Sequence, residues 1–391
     1  MSGIVPEIPG EQAPPDAAHQ LKVDVARLLQ KPKLNFPGAQ PVSFARKHIE
    51  EELFKRDYYV CEKSDGLRCL MYVTWENNPD TGPQQVTYLI TRNNEFFFIP
   101  MVHFPSNDGK PLQDTIVDGE LVLTKAEPRS LHFLMFDCLA CNKILLTGRP
   151  LDKRLGYLNA AISHPLKEYL HKNPEVARDF PFSVRVKDMQ FAYNVMNVFA
   201  SFPHLPHITD GLIFTCRDHP YVSGTDERIL KWKKQDENSV DFLMTMKFPI
   251  FEDTNGESWT DYDAKPEITL LVWTGRDGSR PYGELYLTDE EWDNLKALEE
   301  PLEERVVECI KDDKKRWRYL RFRDDKTNAN YITTVEKVID SIDDPVSEKN
   351  LLDAAPKIKE LWKERNRRPR DEDRKRVGGD DHDHGAKRAR Q

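Results

Sequence analysis

Residues able to do covalent chemistry are concentrated in one short stretch, Lys63-Ser64-Asp65-Gly66-Leu67-Arg68. A β-prone run, Tyr58-Tyr59-Val60-Cys61, leads into it, and Leu70-Met71-Tyr72-Val73 leads out. Asp-Gly between two such runs signals a tight turn, because glycine tolerates positive φ and aspartate can bond its own backbone. The pattern predicts a hairpin tip flanked by Lys63 and Arg68, a few ångströms apart. A lysine amine attacks only when neutral, and a neighbouring cation or burial pushes it toward that form. The stretch therefore offers a nucleophile. Alone, Lys-x-Asp-Gly describes many solvated hairpins, so the argument depends on the other charged residues.

Two further Asp-Gly units sit beside apolar strands. Asp118-Gly119-Glu120 lies within Thr115 to Leu123, and Asp210-Gly211 opens onto Leu212-Ile213-Phe214-Thr215. Leu131 to Phe136 reads as another strand, closed by Asp137. Ile229-Leu230-Lys231-Trp232-Lys233 alternates apolar with basic, which puts both lysines on one strand face. Lys63, Arg92, Lys231, Lys233, Arg321, Arg323 and Lys326 all fall at strand ends or on strand faces, with Asp65, Glu120, Asp137 and Asp210 at matching ends. Cations converging on a cleft, with carboxylates to hold a divalent metal, describe a nucleoside triphosphate site. The chain has neither a Gly-x-x-x-x-Gly-Lys-Ser/Thr loop nor a Gly-x-Gly-x-x-Gly turn. Without either phosphate cradle, the pattern favours a lysine that attacks the α-phosphate itself.

The elements that must position these groups are α+β. A helical pattern runs through Leu21, Val25, Leu28 and Leu29, followed by a turn-rich loop from Phe36 to Phe44. Ser43 is expected to cap a second helix, Ala45 to Phe54. Thr87 to Thr91 and Glu95 to Ile99 form a hairpin around Arg92-Asn93-Asn94. Helices are expected through Arg154, Leu155, Leu158 and Ile162, and from about Ala192 to Phe202. After Asp236 a strand from Val240 to Met246 precedes a Pro/Gly/Asp-rich stretch, Pro249 to Pro266. Ile268–Trp273, Gly283–Leu287, Val306–Ile310 and Trp317–Phe322 are short strands with a helix, Asp289 to Leu298, among them, the pattern of a small oligonucleotide-binding (OB) barrel. A last helix spans about Val346 to Trp362, and from Lys363 the composition is that of a disordered charged tail. The expected plan is a loose N-terminus (1–18), a mixed/antiparallel-sheet domain (19–239), an OB-fold domain (240–345), a helix (346–362) and a tail (363–391).

Composition agrees with this plan. The chain has 391 residues, 39% hydrophobic and 31% charged, long enough for two domains. A net charge of −9 excludes a uniformly basic nucleic-acid coat, so phosphate contacts must come from local clusters. No apolar run approaches the ~20 residues that span a bilayer, so no membrane role is expected. Six cysteines without framework spacing point to reduced thiols, and Cys138-x-x-Cys141 lacks a second pair at zinc-site spacing. His382 and His384 sit in an acidic run that reads as tail rather than as a metal site.

Lys63-Ser64-Asp65-Gly66-x-Arg68, Asp118-Gly119-Glu120, Phe133-Leu134-Met135-Phe136-Asp137, Asp210-Gly211-Leu212-Ile213-Phe214, Lys231-Trp232-Lys233 and Arg321-x-Arg323-x-Asp325-Lys326 follow one another in the order of the six motifs of covalent nucleotidyltransferases. Over about residues 20–365 the chain resembles the fungal-type mRNA capping enzymes, GTP:RNA guanylyltransferases. Phe36-Pro37-Gly38 with Gln40-Pro41-Val42-Ser43, Asn238-Ser239-Val240-Asp241-Phe242 and the Trp317 to Lys326 end favour that family over ligases. The resemblance implies that Lys63 attacks the α-phosphate of GTP, expels pyrophosphate and carries GMP to the 5′-diphosphate end of RNA. It implies Arg68 and Glu120 on the ribose hydroxyls and Phe136 stacked on guanine. Lys231 and Lys233 would hold the α-phosphate, and Arg321, Arg323 and Lys326, with Asp325, the β- and γ-phosphates. Arg92 would contact phosphate or RNA, and Asp210 with Glu120 would bear on Mg²⁺ or Mn²⁺. It further implies a nuclear protein that works with a separate RNA 5′-triphosphatase subunit and the phosphorylated C-terminal repeat of RNA polymerase II. Basic clusters such as Arg374-Lys375-Arg376 fit nuclear import. Because the phosphate ligands are split between two domains, closure is expected for GTP binding and reopening for RNA entry. Competing readings are an ATP-dependent polynucleotide ligase and a catalytically dead scaffold; the intact lysine and the complete basic set disfavour the scaffold.

Overall fold

The computed structural model describes residues 5–106, 108–234, 238–252, 254–324 and 326–367. Asp325 and the tail clusters lie outside them. The first part contains α1 (Pro15–Leu28), β1 (Ala39–Ser43), β2 (Tyr58–Ser64), β3 (Leu67–Asn78), β4 (Gly82–Thr91), β5 (Phe96–Ile99), β6 (Thr115–Leu123) and β7 (Leu131–Cys141). It continues with α2 (Leu151–Tyr157), β8 (Ser183–Val186), α3 (Val195–Ser201), β9 (Thr209–Cys216) and β10 (Gly224–Trp232).

These strands make two sheets. In one, the path runs β5-β4-β3-β6-β7-β8, antiparallel except for β7 with β8. In the other it runs β2-β9-β10-β1, with β1 parallel to β10. Strand β3 is buried on both faces: Met71 and Val73 enter one core, Leu70 and Tyr72 the other, which also takes Leu21 and Val25 of α1. That explains its near-continuous apolar sequence. The second sheet packs Val60, Leu212, Phe214 and Trp232 against Val195 and Val198 of α3.

The expected loop at Phe36 to Phe44 contains strand β1 instead, because the free edge of β10 pairs with it despite Pro41. Ser43 is therefore a strand residue and caps no helix; the helical turn that follows is short, Ile49–Leu53.

The second part comprises β11 (Val240–Lys247), β12 (Glu267–Trp273), β13 (Ser279–Glu284), α4 (Asp289–Lys296), β14 (Val306–Lys311), β15 (Trp317–Phe322) and α5 (Ile332–Asp343). Its antiparallel path is β13-β12-β11-β14-β15, and a bridge from Leu285 to Trp317 brings its two ends together. Thr288 caps α4 in a reciprocal capping box with Glu291. Helix α5 was not expected; Val335, Val338 and Ile342 at helical spacing bury it in this core. The Pro/Gly/Asp-rich stretch also holds a two-stranded hairpin, Ile250–Glu252 with Ser258–Thr260.

The last helix, α6 (Glu348–Arg367), returns to the first part. Leu351, Ala354, Ala355 and Ile358 join the core of the second sheet, and Trp232 Nε1 donates to Val346 O at 2.7 Å. Three basic-region contacts fasten its end: Arg365 meets Asp57 at 2.8 and 2.9 Å and the carbonyl of Phe54 at 2.6 Å. No described helix is long and apolar enough to cross a membrane.

Candidate active site

Strands β2 and β3 belong to different sheets, so the Asp65–Gly66 turn is a corner between sheets and not the tip of a hairpin. The edges that a hairpin would use are taken by β9 on one side and by β4 and β6 on the other. The corner is tight: a Cβ on Gly66 would lie 2.4 Å from the carbonyl oxygen of Leu121. The Asp65 N–H donates to Ile208 O at 3.0 Å, and the Thr209 hydroxyl donates to Lys63 O at 2.6 Å. Lys63 is thereby pinned beside the start of β9.

Its ammonium lies 2.7 and 2.9 Å from the two carboxylate oxygens of Asp210, and Lys233 Nζ lies 2.9 Å from the same group. Gly211, at φ +145°, allows this approach, since a Cβ there would lie 2.0 Å from Trp232 O. Burial alone would raise the Asp210 pKa, but Lys63 and Lys233 hold it below the usual carboxylate range. Lys231 has no ion partner among the described residues. Burial, then Lys233, Lys63, Arg92 and Lys326, bring it down to about 8. The influence of Lys326 matters because that residue follows β15 in the second part: cations from both parts share one field. Arg92 is an exposed residue at the turn after β4; desolvation and then the nearby Arg68 lower its pKa from the ordinary value.

Arg68 turns away from Lys63. Its Nε and Nη2 donate to Asp118 at 3.0 and 2.6 Å, and Nη1 donates to Ala39 O. Arg68 is therefore not the cation beside Lys63; Lys233 is, through the Asp210 carboxylate that both bond. Phe136 is half-buried, with Arg68 and Lys187 each 5.7 Å from its ring centre. Glu120 pairs with Lys187 at 3.6 Å. Asp137 is withdrawn from any metal role: it is buried and gripped by Arg154 at 2.6 and 2.8 Å.

In the second part, Asp241 and Glu308 stand directly opposite one another on β11 and β14. Adjacent like charges are tolerated because cations sit between them. Arg321 bonds Glu308 at 2.6 Å, Arg323 bonds Asp241 at 3.1 Å, and Lys326 also bonds Asp241. Among the described residues no group of three or more His, Cys, Asp or Glu is placed to hold a metal by itself. Asp210 is a hard oxygen donor at the cationic centre and fits a divalent ion completed by phosphate and water oxygens.

The structure adds Lys187, Tyr221 and Glu308 to the candidate site; Asp118 and Asp241 stand in motifs the sequence offered, without a role of their own. Lys187 is buried, donates to Glu62 O at 3.1 Å and lies 3.8 Å from the Glu62 carboxylate. The only available signal was its place directly after the alternating strand Ser183–Val186. Asp241 had been singled out with its neighbours, without a role.

Two family models match the chain: mRNA capping enzyme, catalytic domain, over residues 5–235, and mRNA capping enzyme, C-terminal domain, over residues 237–352. The mRNA-capping enzyme subunit alpha of Neurospora crassa is 47% identical over 383 residues, covering 91% of this chain and 93% of its own. That of Schizosaccharomyces pombe is 43% identical, covering 92% and 90%. That of Saccharomyces cerevisiae is 39% identical, covering 93% and 88%. With a lysine held at a sheet corner, cations from both parts nearby, and family matches over residues 5–235 and 237–352, the chain belongs to the mRNA capping enzyme family.

Proposed function

We propose the following division of labour for this GTP:RNA guanylyltransferase. Lys63 Nζ forms a bond to the α-phosphorus of GTP as the bond from that phosphorus to the pyrophosphate oxygen breaks. Attack needs the neutral amine. GMP then passes from Lys63 to a terminal phosphate oxygen of 5′-diphosphate RNA. Lys231 and Lys233 bind the α-phosphate. Arg321, Arg323 and Lys326, aimed by Glu308 and Asp241, take the β- and γ-phosphates, with Asp325 assisting and Arg92 adding a phosphate or RNA contact. Arg68 and Glu120 hold the ribose, and Phe136 stacks on guanine. Lys187, beside that ring, donates to the guanine 6-oxo group and repels the 6-amino group of adenine. A divalent ion, Mg²⁺ or Mn²⁺, would be held by Asp210, with Glu120 nearby, and would neutralise phosphate charge.

The observation that carries this reading is the depressed Lys231: four cations from two parts of the chain crowd it, with Asp210 the carboxylate among them. Such a field is satisfied by a polyphosphate. We infer that the second part is an OB fold that closes over the nucleotide, from its five-stranded antiparallel path and its returning ends. The relatives' names, subunit alpha, support a second subunit, which we assign as an RNA 5′-triphosphatase. The phosphorylated polymerase repeat and nuclear residence complete the proposal; mutating the basic clusters should redistribute a tagged protein to the cytoplasm.

Label transfer tests the chemistry. Protein is incubated with α-³²P GTP, or separately with α-³²P ATP, and Mg²⁺ or Mn²⁺, and the denatured chain is examined. Acid-labile, alkali-stable label from GTP, absent in Lys63→Ala and transferable to diphosphate-ended RNA, is expected. Label from ATP alone would instead indicate a ligase, and no label from either a scaffold.

A further inference from the structure

We propose that Tyr221, in the loop between β9 and β10, is a positioning residue that makes the enzyme selective for the nucleotide sugar. The starting point is the donor count of Arg68. A guanidinium has five N–H groups. The Nε–H and one on Nη2 go to Asp118, one on Nη1 goes to Ala39 O, and the second on Nη2 faces Tyr221 Oη at 3.4 Å. Among the described residues one Nη1 N–H is left, in a direction fixed by the other bonds. It can serve one hydroxyl acceptor.

Tyr221 holds that arrangement from the side. Its hydroxyl donates to Asp118 Oδ2 at 2.5 Å and accepts from the Ala39 N–H at 2.9 Å. Asp118 lies in the first sheet and Ala39 in the second, so one phenol bolts together the two backbones that contact Arg68. Asp118 and Ala39 are 0% and 1% exposed, so no water can replace the hydroxyl cheaply. The phenol ring is packed in turn by the Arg154 guanidinium, 5.7 Å from its centre. Without the hydroxyl, Asp118 and Ala39 lose their common partner, and the direction of the Arg68 guanidinium rests on its bonds to Asp118 and Ala39 O alone.

This inference rests on the assignment of Arg68 to the ribose. The test compares enzyme–GMP formation from GTP, 2′-deoxyGTP and 3′-deoxyGTP in the full chain, its Tyr221→Phe variant and its Arg68→Lys variant. Tyr221→Phe should lower kcat/KM for GTP about three- to tenfold, mostly through KM, and leave one deoxy analogue nearly unchanged, so that their ratio falls by the same factor. Equal loss on all three nucleotides would show a merely structural tyrosine and overturn the proposal. If Arg68→Lys loses the discrimination while Tyr221→Phe keeps it, Tyr221 alone is misassigned. If the wild-type enzyme does not discriminate, the ribose reading of Arg68 fails and the proposal with it. Should Tyr221→Phe not fold, Asp118→Asn interrogates the same bonds: a falling ratio supports the proposal, an unchanged ratio overturns it.

Discussion

A lysine that we assign to the phosphate site has its pKa pulled down before any phosphate arrives. Lys231 goes from 10.5 in an unfolded chain to about 8 in the fold, through burial and four neighbouring cations. Between about pH 8 and 10.5 the unfolded chain binds more protons there, so this residue makes the free protein more stable as pH rises through that window; below about 8 its charging penalty is fully present. Removing the charge with Lys231→Met should therefore stabilise the nucleotide-free protein by about 1–3 kcal/mol, read from urea unfolding. The same change should weaken GTP binding about tenfold or more. Phosphates supply the missing counter-charge, so GTP binding at pH 8.5 should take up protons. Calorimetry in two buffers of different ionisation enthalpy measures this, and a buffer-independent enthalpy would contradict it.

At the scale of elements, two anchors matter. Asp241 on β11 bonds Arg323 and Lys326, which we assign to the β- and γ-phosphates and hence to the step in which these are present. Asp241→Asn should slow enzyme–GMP formation about tenfold or more, while transfer from preformed enzyme–GMP to RNA stays within about twofold. Rapid-quench measurement of the two half-reactions separates these outcomes. The second anchor is the end of α6. Arg365 grips buried Asp57, beside a pocket of about 420 Å³ that Arg56, Arg217 and Arg228 also line. These cations are largely engaged with Asp57, Asp152 and Glu52, which marks the cluster as a latch for the helix. Arg365→Ala should cost about 1–3 kcal/mol in urea, with GTP labelling of the folded protein unchanged.

At the scale of the whole molecule, the chain passes between its two parts twice. It leaves after β10 and returns between α5 and α6, where Trp232 of β10 bonds Val346. The second part is thus tethered at both ends to one sheet, an arrangement compatible with the opening and closing that we propose. A crosslink that holds the two parts open should abolish enzyme–GMP formation; retained labelling would refute the closure step. A crosslink applied closed after GMP attachment should instead block transfer to RNA.

Local order along the chain was enough to single out Lys63 as the candidate nucleophile, the six motifs and the alternation of Lys231 with Lys233, because each depends on a few neighbouring residues and on strand period. Period and turn chemistry also located the hairpin of β4 and β5. Pairing partners are another matter, since a strand's edges are allotted by competition among all strands. That competition made Asp65–Gly66 a corner between sheets, turned a proline-containing loop into β1 and gave α6 to the first part. It also decided charge. Arg68 went to Asp118, Asp137 to Arg154, and Lys187 came beside Phe136. Ion pairs between residues tens of positions apart leave no local pattern. Which lysines crowd together, and hence which has its pKa pulled down, was settled only when both sheets and the second part brought Lys63, Lys233, Arg92 and Lys326 around Lys231.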